Sequence, residues 1–202
     1  MASDQNPSYA MRCLGSDADG VADLLDDFVS GMREGGLSVT LKTFPGIGNV
    51  SADVTESIAE NTDSLMTIRD TNFVPYASGI QAGADCVMVS NAAYSKLTVK
   101  KVPAFMSQDI VTKLLREELG FDGIVMTSPL NDNVIENNYT NEFAVVEAVK
   151  AGCDLIVLPG NFKECYEALI TAVEEGRIDE KVINTSVRRI LQNKIQRGIL
   201  VL

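Results

Sequence analysis

Two spacings of apolar residues alternate along the chain: recurrence every three or four positions, which marks a helix packed on one face, and short unbroken runs rich in Val, Ile and Leu, which mark buried strands. Val21, Leu24, Leu25, Phe28, Val29 and Met32 form the first helical face, with Ser16 as its expected N-cap and Gly35 and Gly36 as its stop. Ser38 to Thr43 is strand-like and runs into the breaker-rich turn Phe44-Pro45-Gly46-Ile47-Gly48. The polar, weakly periodic stretch from Asn49 to Thr62 is expected to be a long mobile loop, and a short helix around Phe73, Tyr76, Ala77 and Ile80 follows it. Ser107 is expected to cap a helix with Ile110, Leu114, Leu115 and Leu119 inward. Ala144, Val145, Ala148 and Val149 mark another, and Phe162, Cys165, Tyr166, Leu169 and Val173 a third. Asp179 caps a last helix with Val182, Ile183, Val187, Ile190, Leu191 and Ile195 inward.

A repeated phrase joins these elements. Gly83-Ala-Asp-Cys-Val-Met-Val-Ser, Gly120-Phe-Asp-Gly-Ile-Val-Met-Thr and Gly152-Cys-Asp-Leu-Ile-Val-Leu-Pro each read as a helix stop, a polar turn and an apolar strand. Gly36-Leu-Ser-Val-Thr-Leu-Lys-Thr is a weaker copy. Strands alternating with helices predict an α/β fold with parallel strands and right-handed crossovers. About four βα units fall short of the eight strands and roughly 250 residues of a closed barrel, so a single domain spanning residues 1–202 is expected as a small open sheet or a partial (β/α)₈ barrel. In such folds chemistry gathers beyond the carboxyl ends of the strands, which directs attention to Thr127, Ser128 and the loop through Asn133.

Composition narrows the chemistry. The formal charge of -11 repels phosphate backbones and disfavours nucleic acid as a partner. No apolar segment approaches the roughly 18 residues that span a bilayer, and MASDQNPSYAMR lacks the apolar core of a secretory signal, so a cytoplasmic place is the default expectation. Cys13, Cys86, Cys153 and Cys165 contain no CxxC pair and read as reduced core thiols. The chain has no histidine, which excludes Ser-His-Asp and Cys-His machinery, imidazole metal sites and imidazole acid-base catalysis. No cofactor or metal is called for. The sequons Asn138-Tyr-Thr and Asn49-Val-Ser read as chance matches, and Leu158-Pro159-Gly160 reads as a turn before it reads as an anion cradle.

The segment PAFMSQDIVTKLLREELGFDGIVMTS resembles the helix and nucleophile-bearing strand of the β-N-acetylhexosaminidase branch of glycoside hydrolase family 3. The resemblance continues through KAGCDLIVLPGNF and EEGRIDEKVINTSVRRIL. Upstream, Arg12-Cys-Leu-Gly-Ser-Asp is similar to that family's arginine loop, and Lys42-Thr-Phe-Pro-Gly-Ile-Gly to its lysine- and histidine-containing turn. It covers about Asn6 to Ile199 and implies a TIM-type barrel whose earlier strands precede the arginine loop, so this chain is expected to form the later half. It also implies that Arg12 and Lys42, with Thr43 beside them, contact the sugar; simple surface ion pairing is the alternative for the two cations.

The catalytic positions implied by the resemblance are substituted. Retaining glycosidases use a carboxylate nucleophile and a proton donor about 5 Å apart. Ser128 stands at the nucleophile's place, and a hydroxyl without a base carries no charge to stabilise an oxocarbenium-like transition state. In the acid/base loop, Asp53-Val54-Thr55 keeps the aspartate and has Thr55 in the histidine's place. Thr43, Ile47 and Asn91 stand where the family has sugar-contacting histidines. Pro129 fixes the backbone beside Ser128, and Asp53 or Asp132 are the carboxylates that could substitute. Three readings follow: an inactive relative of the hydrolases, a pseudoenzyme holding an amino-sugar glycan or muropeptide through Arg12 and Lys42, and a half-barrel pairing with itself or with a complementing N-terminal half.

Overall fold

The computed structural model describes Asn6, Tyr9, residues 12–50 and residues 52–201. Residues 1–5, 7, 8, 10 and 11 of the polar opening stretch lie outside the described residues, as does Ser51 of one sequon. The fold is α/β. Parallel strands β1 (Thr40–Phe44), β3 (Cys86–Val89) and β5 (Ile124–Thr127) form one sheet in the order β1-β3-β5, and β2 (Glu60–Asn61) pairs with β4 (Ala93–Tyr94) in a second. The helices are α1 (Ala18–Glu34), α2 (Leu65–Asp70), α3 (Phe73–Gln81), a π-wound helix over Asp109–Glu118, α4 (Asn133–Glu136), α5 (Asn141–Ala151), α6 (Phe162–Glu174) and α7 (Glu180–Gln196).

The parallel sheet has two unlike faces because its side chains alternate. Leu41, Val87 and Val125 are in register and buried. Leu41 lies so close to α3 that a Cβ at Gly79 would stand 2.8 Å from its Cδ1, which explains the glycine in that helix. Lys42, Met88 and Met126 form the next layer, on the opposite face, and none of the three is buried. This is the arrangement of part of a barrel wall: helices on the convex side, an incompletely covered concave side.

The aspartates of two copies of the glycine-led repeat tie the amino ends of the strands together. Asp85 accepts the Val39 N–H at 2.9 Å and pairs with Arg33 and Arg197, while Asn193 donates to it at 3.1 Å. Asp154 accepts the Val125 N–H at 2.9 Å and pairs with Arg116 and Arg189. Each carboxylate thus fastens the start of the preceding strand to flanking helices, at the end of the sheet opposite its functional face. Asp122 is exposed; that repeat instead buries Phe121, over whose ring the Arg116 guanidinium lies at 5.6 Å.

Several local expectations change. Asp17, not Ser16, caps α1, its carboxylate accepting the Gly20 N–H at 2.8 Å; Ser16 lies one residue too early for that reach. Ser107 does not cap the following helix with its side chain; its carbonyl accepts the Ile110 and Val111 N–H groups. The stretch from Asn49 to Thr62 is anchored, with Val50, Val54 and Ala59 buried and β2 inside it. The fourth strand is reduced to one bridge, Met126 to Leu155. There the Thr127 hydroxyl takes the Val157 N–H at 3.1 Å, and Leu158 turns to φ 44°, so the ladder stops. Leu24, Phe28, Phe162 and Tyr166 are more than half exposed instead of inward, and Val182, Val187, Leu191 and Ile195 of α7 are also exposed. Helix α7 is held to the two aspartates by Arg189, Asn193 and Arg197, and its apolar stripe is only partly covered. Of the four cysteines, all free, Cys86, Cys153 and Cys165 are buried.

Candidate functional site

The carboxyl ends of β1, β3 and β5 open into a cleft of about 640 Å³. At β1 the register shifts between Lys42 and Phe44, making Thr43 an extra residue, and a bulge of this kind re-aims side chains at a strand end. Lys42 and Thr43 both line the cleft, as does Ile47 from the turn that follows. That turn is held by three side chains: Asn72 donates to Pro45 O at 2.9 Å, Tyr94 to Gly46 O at 2.9 Å and Asn6 to Ile47 O at 3.0 Å. Arg12 lies on the cleft wall, its guanidinium 5.1 Å from the centre of the Tyr9 ring. Val21, Leu25 and Phe28 of α1 supply an apolar wall, which accounts for the half-exposed Phe28.

Beyond β5, Ser128 is 6 % exposed and its hydroxyl donates to Val89 O at 2.9 Å, the same carbonyl that accepts the Ser128 N–H. The side chain is therefore engaged in joining β5 to β3. The Asp53 loop turns its functional groups on each other: the Thr55 N–H and hydroxyl donate to Asp53 Oδ1 at 2.9 and 2.8 Å. These two bonds, with the Arg12 charge and a hydrogen bond from Tyr9, hold the Asp53 carboxyl below its ordinary range. Thr55 lines the cleft, and Asp53 stands beside it through this contact. The loop is fastened to the β5 exit by Val134 N–H to Thr55 O at 2.8 Å and by Asn133 to Glu56 at 2.8 Å.

Asp132 behaves oppositely to Asp53. Burial pushes its carboxyl up, and the Asp53 and Glu56 charges add to that, against a hydrogen bond donated by Asn91 at 2.8 Å. Burial and the nearby Asp53 charge also raise the Tyr9 phenol.

The structure thus brings Arg12, Lys42, Thr43, Ile47, Thr55, Asn91, Ser128 and Asp132 to one cleft, with Asp53 at its margin. Sequence reasoning missed Tyr9, Glu56 and the Asn91–Asp132 contact, which joins two strand ends 41 residues apart and has no local signature. Among the described residues no group of three or more His, Cys, Asp or Glu is placed to hold a metal, and no helix is long and apolar enough to cross a membrane.

A family model for the glycosyl hydrolase family 3 N-terminal domain matches residues 1–193. A β-N-acetylglucosaminidase/β-glucosidase from Cellulomonas fimi is 28% identical over 204 residues, covering 96% of this chain and 36% of that protein. A β-hexosaminidase from Stenotrophomonas maltophilia (strain K279a) is 31% identical over 195 residues, 96% of this chain and 55% of that protein. Among solved structures, a family 3 β-N-acetylglucosaminidase from Paenibacillus sp. str. FPU-7 superposes with a TM-score of 0.93 at 33% identity, covering 99% of this chain and 40% of that one. The chain spans well under two thirds of the length of these relatives.

Proposed function

Because the chain belongs to the glycosyl hydrolase family 3 N-terminal domain family, we propose that its cleft binds an amino-sugar glycan or muropeptide without hydrolysing it. The relatives' names, β-N-acetylglucosaminidase and β-hexosaminidase, indicate the ligand class. The observation that carries the loss of hydrolysis is Ser128. At the place that the resemblance gives to a nucleophilic carboxylate, a neutral hydroxyl is buried and donates to Val89 O. Such a group neither stabilises positive charge at the anomeric carbon nor attacks it. Thr55, in the proton donor's place, is occupied with Asp53 and has no titratable proton at neutral pH. Arg12 and Lys42 still offer several charged donors to sugar hydroxyls. Incubation with an aryl N-acetylglucosaminide tests the reading: no turnover above background is expected, and turnover that disappears in Asp53→Ala or Asp132→Ala would overturn it.

A second reading concerns assembly and is compatible with the first. Among the described residues β1 has no strand on its outer side, and Leu24, Val187, Leu191 and Ile195 present exposed apolar side chains. An uncovered edge and apolar helix faces favour pairing with a second copy or with a complementing N-terminal half. Light scattering on this chain, alone and mixed with such a half, reads this out. A monomer under both conditions counts against it.

A further inference from the structure

The acidic end of the cleft has an acceptor that none of the described residues uses. Asn91 is 1 % exposed at the end of β3 and lines the cleft. Its Nδ2 donates to Asp132 Oδ2 at 2.8 Å, which fixes the amide orientation. The Asn91 carbonyl oxygen is buried and has no hydrogen-bond partner among the described residues. A buried acceptor without a donor is costly, and beside a cleft a ligand donor that reaches it relieves that cost. The Asn91 bond engages Asp132 Oδ2, and the other oxygen of that carboxylate is a further acceptor in the same cleft.

Charge narrows the donor's identity. The charges acting on Asp132 come from Asp53 and Glu56 and have the same sign as its own. Of the cations lining the cleft, Arg12 acts on Asp53 and lies over the Tyr9 ring, and neither it nor Lys42 is among the charges that act on Asp132. A neutral hydroxyl or an acetamido N–H would satisfy the Asn91 carbonyl but leave the negative charge uncompensated. A primary ammonium does both, since it brings three N–H donors and one positive charge. The carboxylates here do not converge as a metal-ligand set, so directional N–H donors fit better than a bare cation.

We propose that the Asn91 carbonyl and the Asp132 carboxylate form a subsite for the primary ammonium of an unacetylated amino sugar, so that the cleft prefers glucosamine units over N-acetylglucosamine units. This rests on the reading of the cleft as an amino-sugar site and makes its ligand class specific. Asp132 is the specificity-determining charge, and Asn91 holds it in place while accepting from the same ligand nitrogen.

Calorimetric titration of the full chain at pH 6 with glucosamine trimer and, separately, N-acetylglucosamine trimer tests it. The unacetylated trimer is expected to bind at least tenfold more tightly. In Asp132→Asn, which keeps the size of the side chain, that preference should fall to about one; a circular-dichroism melt matching the parent establishes folding. Lys42→Ala should weaken both trimers alike. Equal or tighter binding of the acetylated trimer, or a preference that persists in Asp132→Asn, overturns the ammonium subsite and leaves the amino-sugar reading standing. Absence of binding by either trimer overturns both.

Discussion

Replacing Asp154 with alanine should remove a large share of the protein's stability without touching the cleft. Its side chain is 0% exposed and makes three interactions: Arg116 Nη2 at 2.5 Å, Arg189 Nη1 at 3.0 Å and the Val125 N–H at 2.9 Å. Arg189 is 27% exposed and can return to water, but the Arg116 side chain is only 11% exposed and would keep an uncompensated charge. Arg116 also donates to the carbonyls of Phe121 and Gly123, so it is held in place and cannot swing out. Breaking a buried pair by removing one partner costs about 3–5 kcal/mol, a large fraction of the roughly 5–15 kcal/mol that holds a typical domain together. Urea unfolding followed by circular dichroism measures it: the midpoint should drop by an amount corresponding to about 3–5 kcal/mol, with the slope unchanged. Glu167→Ala, which removes an exposed pair with Lys163 on α6, serves as the control and should leave the midpoint in place. A loss below about 1 kcal/mol for Asp154→Ala would refute the view that the repeat's aspartate ties β5 to the helices.

Acid should act through the other aspartate. Burial raises the Asp85 carboxyl, but the Arg197 pair, the Val39 N–H and Arg33 outweigh it, so its folded value lies below the ordinary 3.8. Its contribution is therefore fully present above that value and is lost as pH falls through the lower folded one; Asp85→Asn should flatten the acid limb of a stability-versus-pH curve. Gly123→Ala should lower the melting temperature by several degrees, since the new Cβ would stand 2.6 Å from Asp85 O and 2.5 Å from the Phe121 ring, an overpacking cost of about 1–3 kcal/mol. Lys42→Ala should weaken glycan binding about tenfold or more in calorimetry, as expected for a charged hydrogen bond of about 1.5–3 kcal/mol; unchanged affinity would place the glycan elsewhere.

Much of this architecture is visible in residue order, for a physical reason. Leu41, Val87 and Val125 sit in runs that must be buried, and Gly152, at φ 110° after α5, marks a helix stop that favours glycine. The glycine-led repeat showed the helix-to-strand rhythm, but not that Asp85 and Asp154 fasten strand starts while Asp122 does not, because that depends on arginines far away in sequence. The fourth strand is legible in Leu155-Ile156-Val157, yet the Val157 N–H donates to the Thr127 hydroxyl, a choice that apolar periodicity cannot register. Helix α7 misled for a related reason: its apolar stripe is real, but its attachment is by Arg189, Asn193 and Arg197, and the stripe is left half open. At the cleft, Arg12, Lys42, Thr43, Thr55 and Ser128 could be gathered from motifs alone. The Asn91–Asp132 contact could not, since neither residue is unusual by itself.

On the proposed reading the cleft holds a sugar and lacks the means to cleave it. Titrating the chain with an N-acetylglucosamine oligomer in a calorimeter, then analysing the cell contents by mass spectrometry after a long incubation, addresses both halves in one sample. Saturable heat with every oligomer recovered intact is the predicted result. Shortened oligomers, or no heat at millimolar ligand, would contradict it.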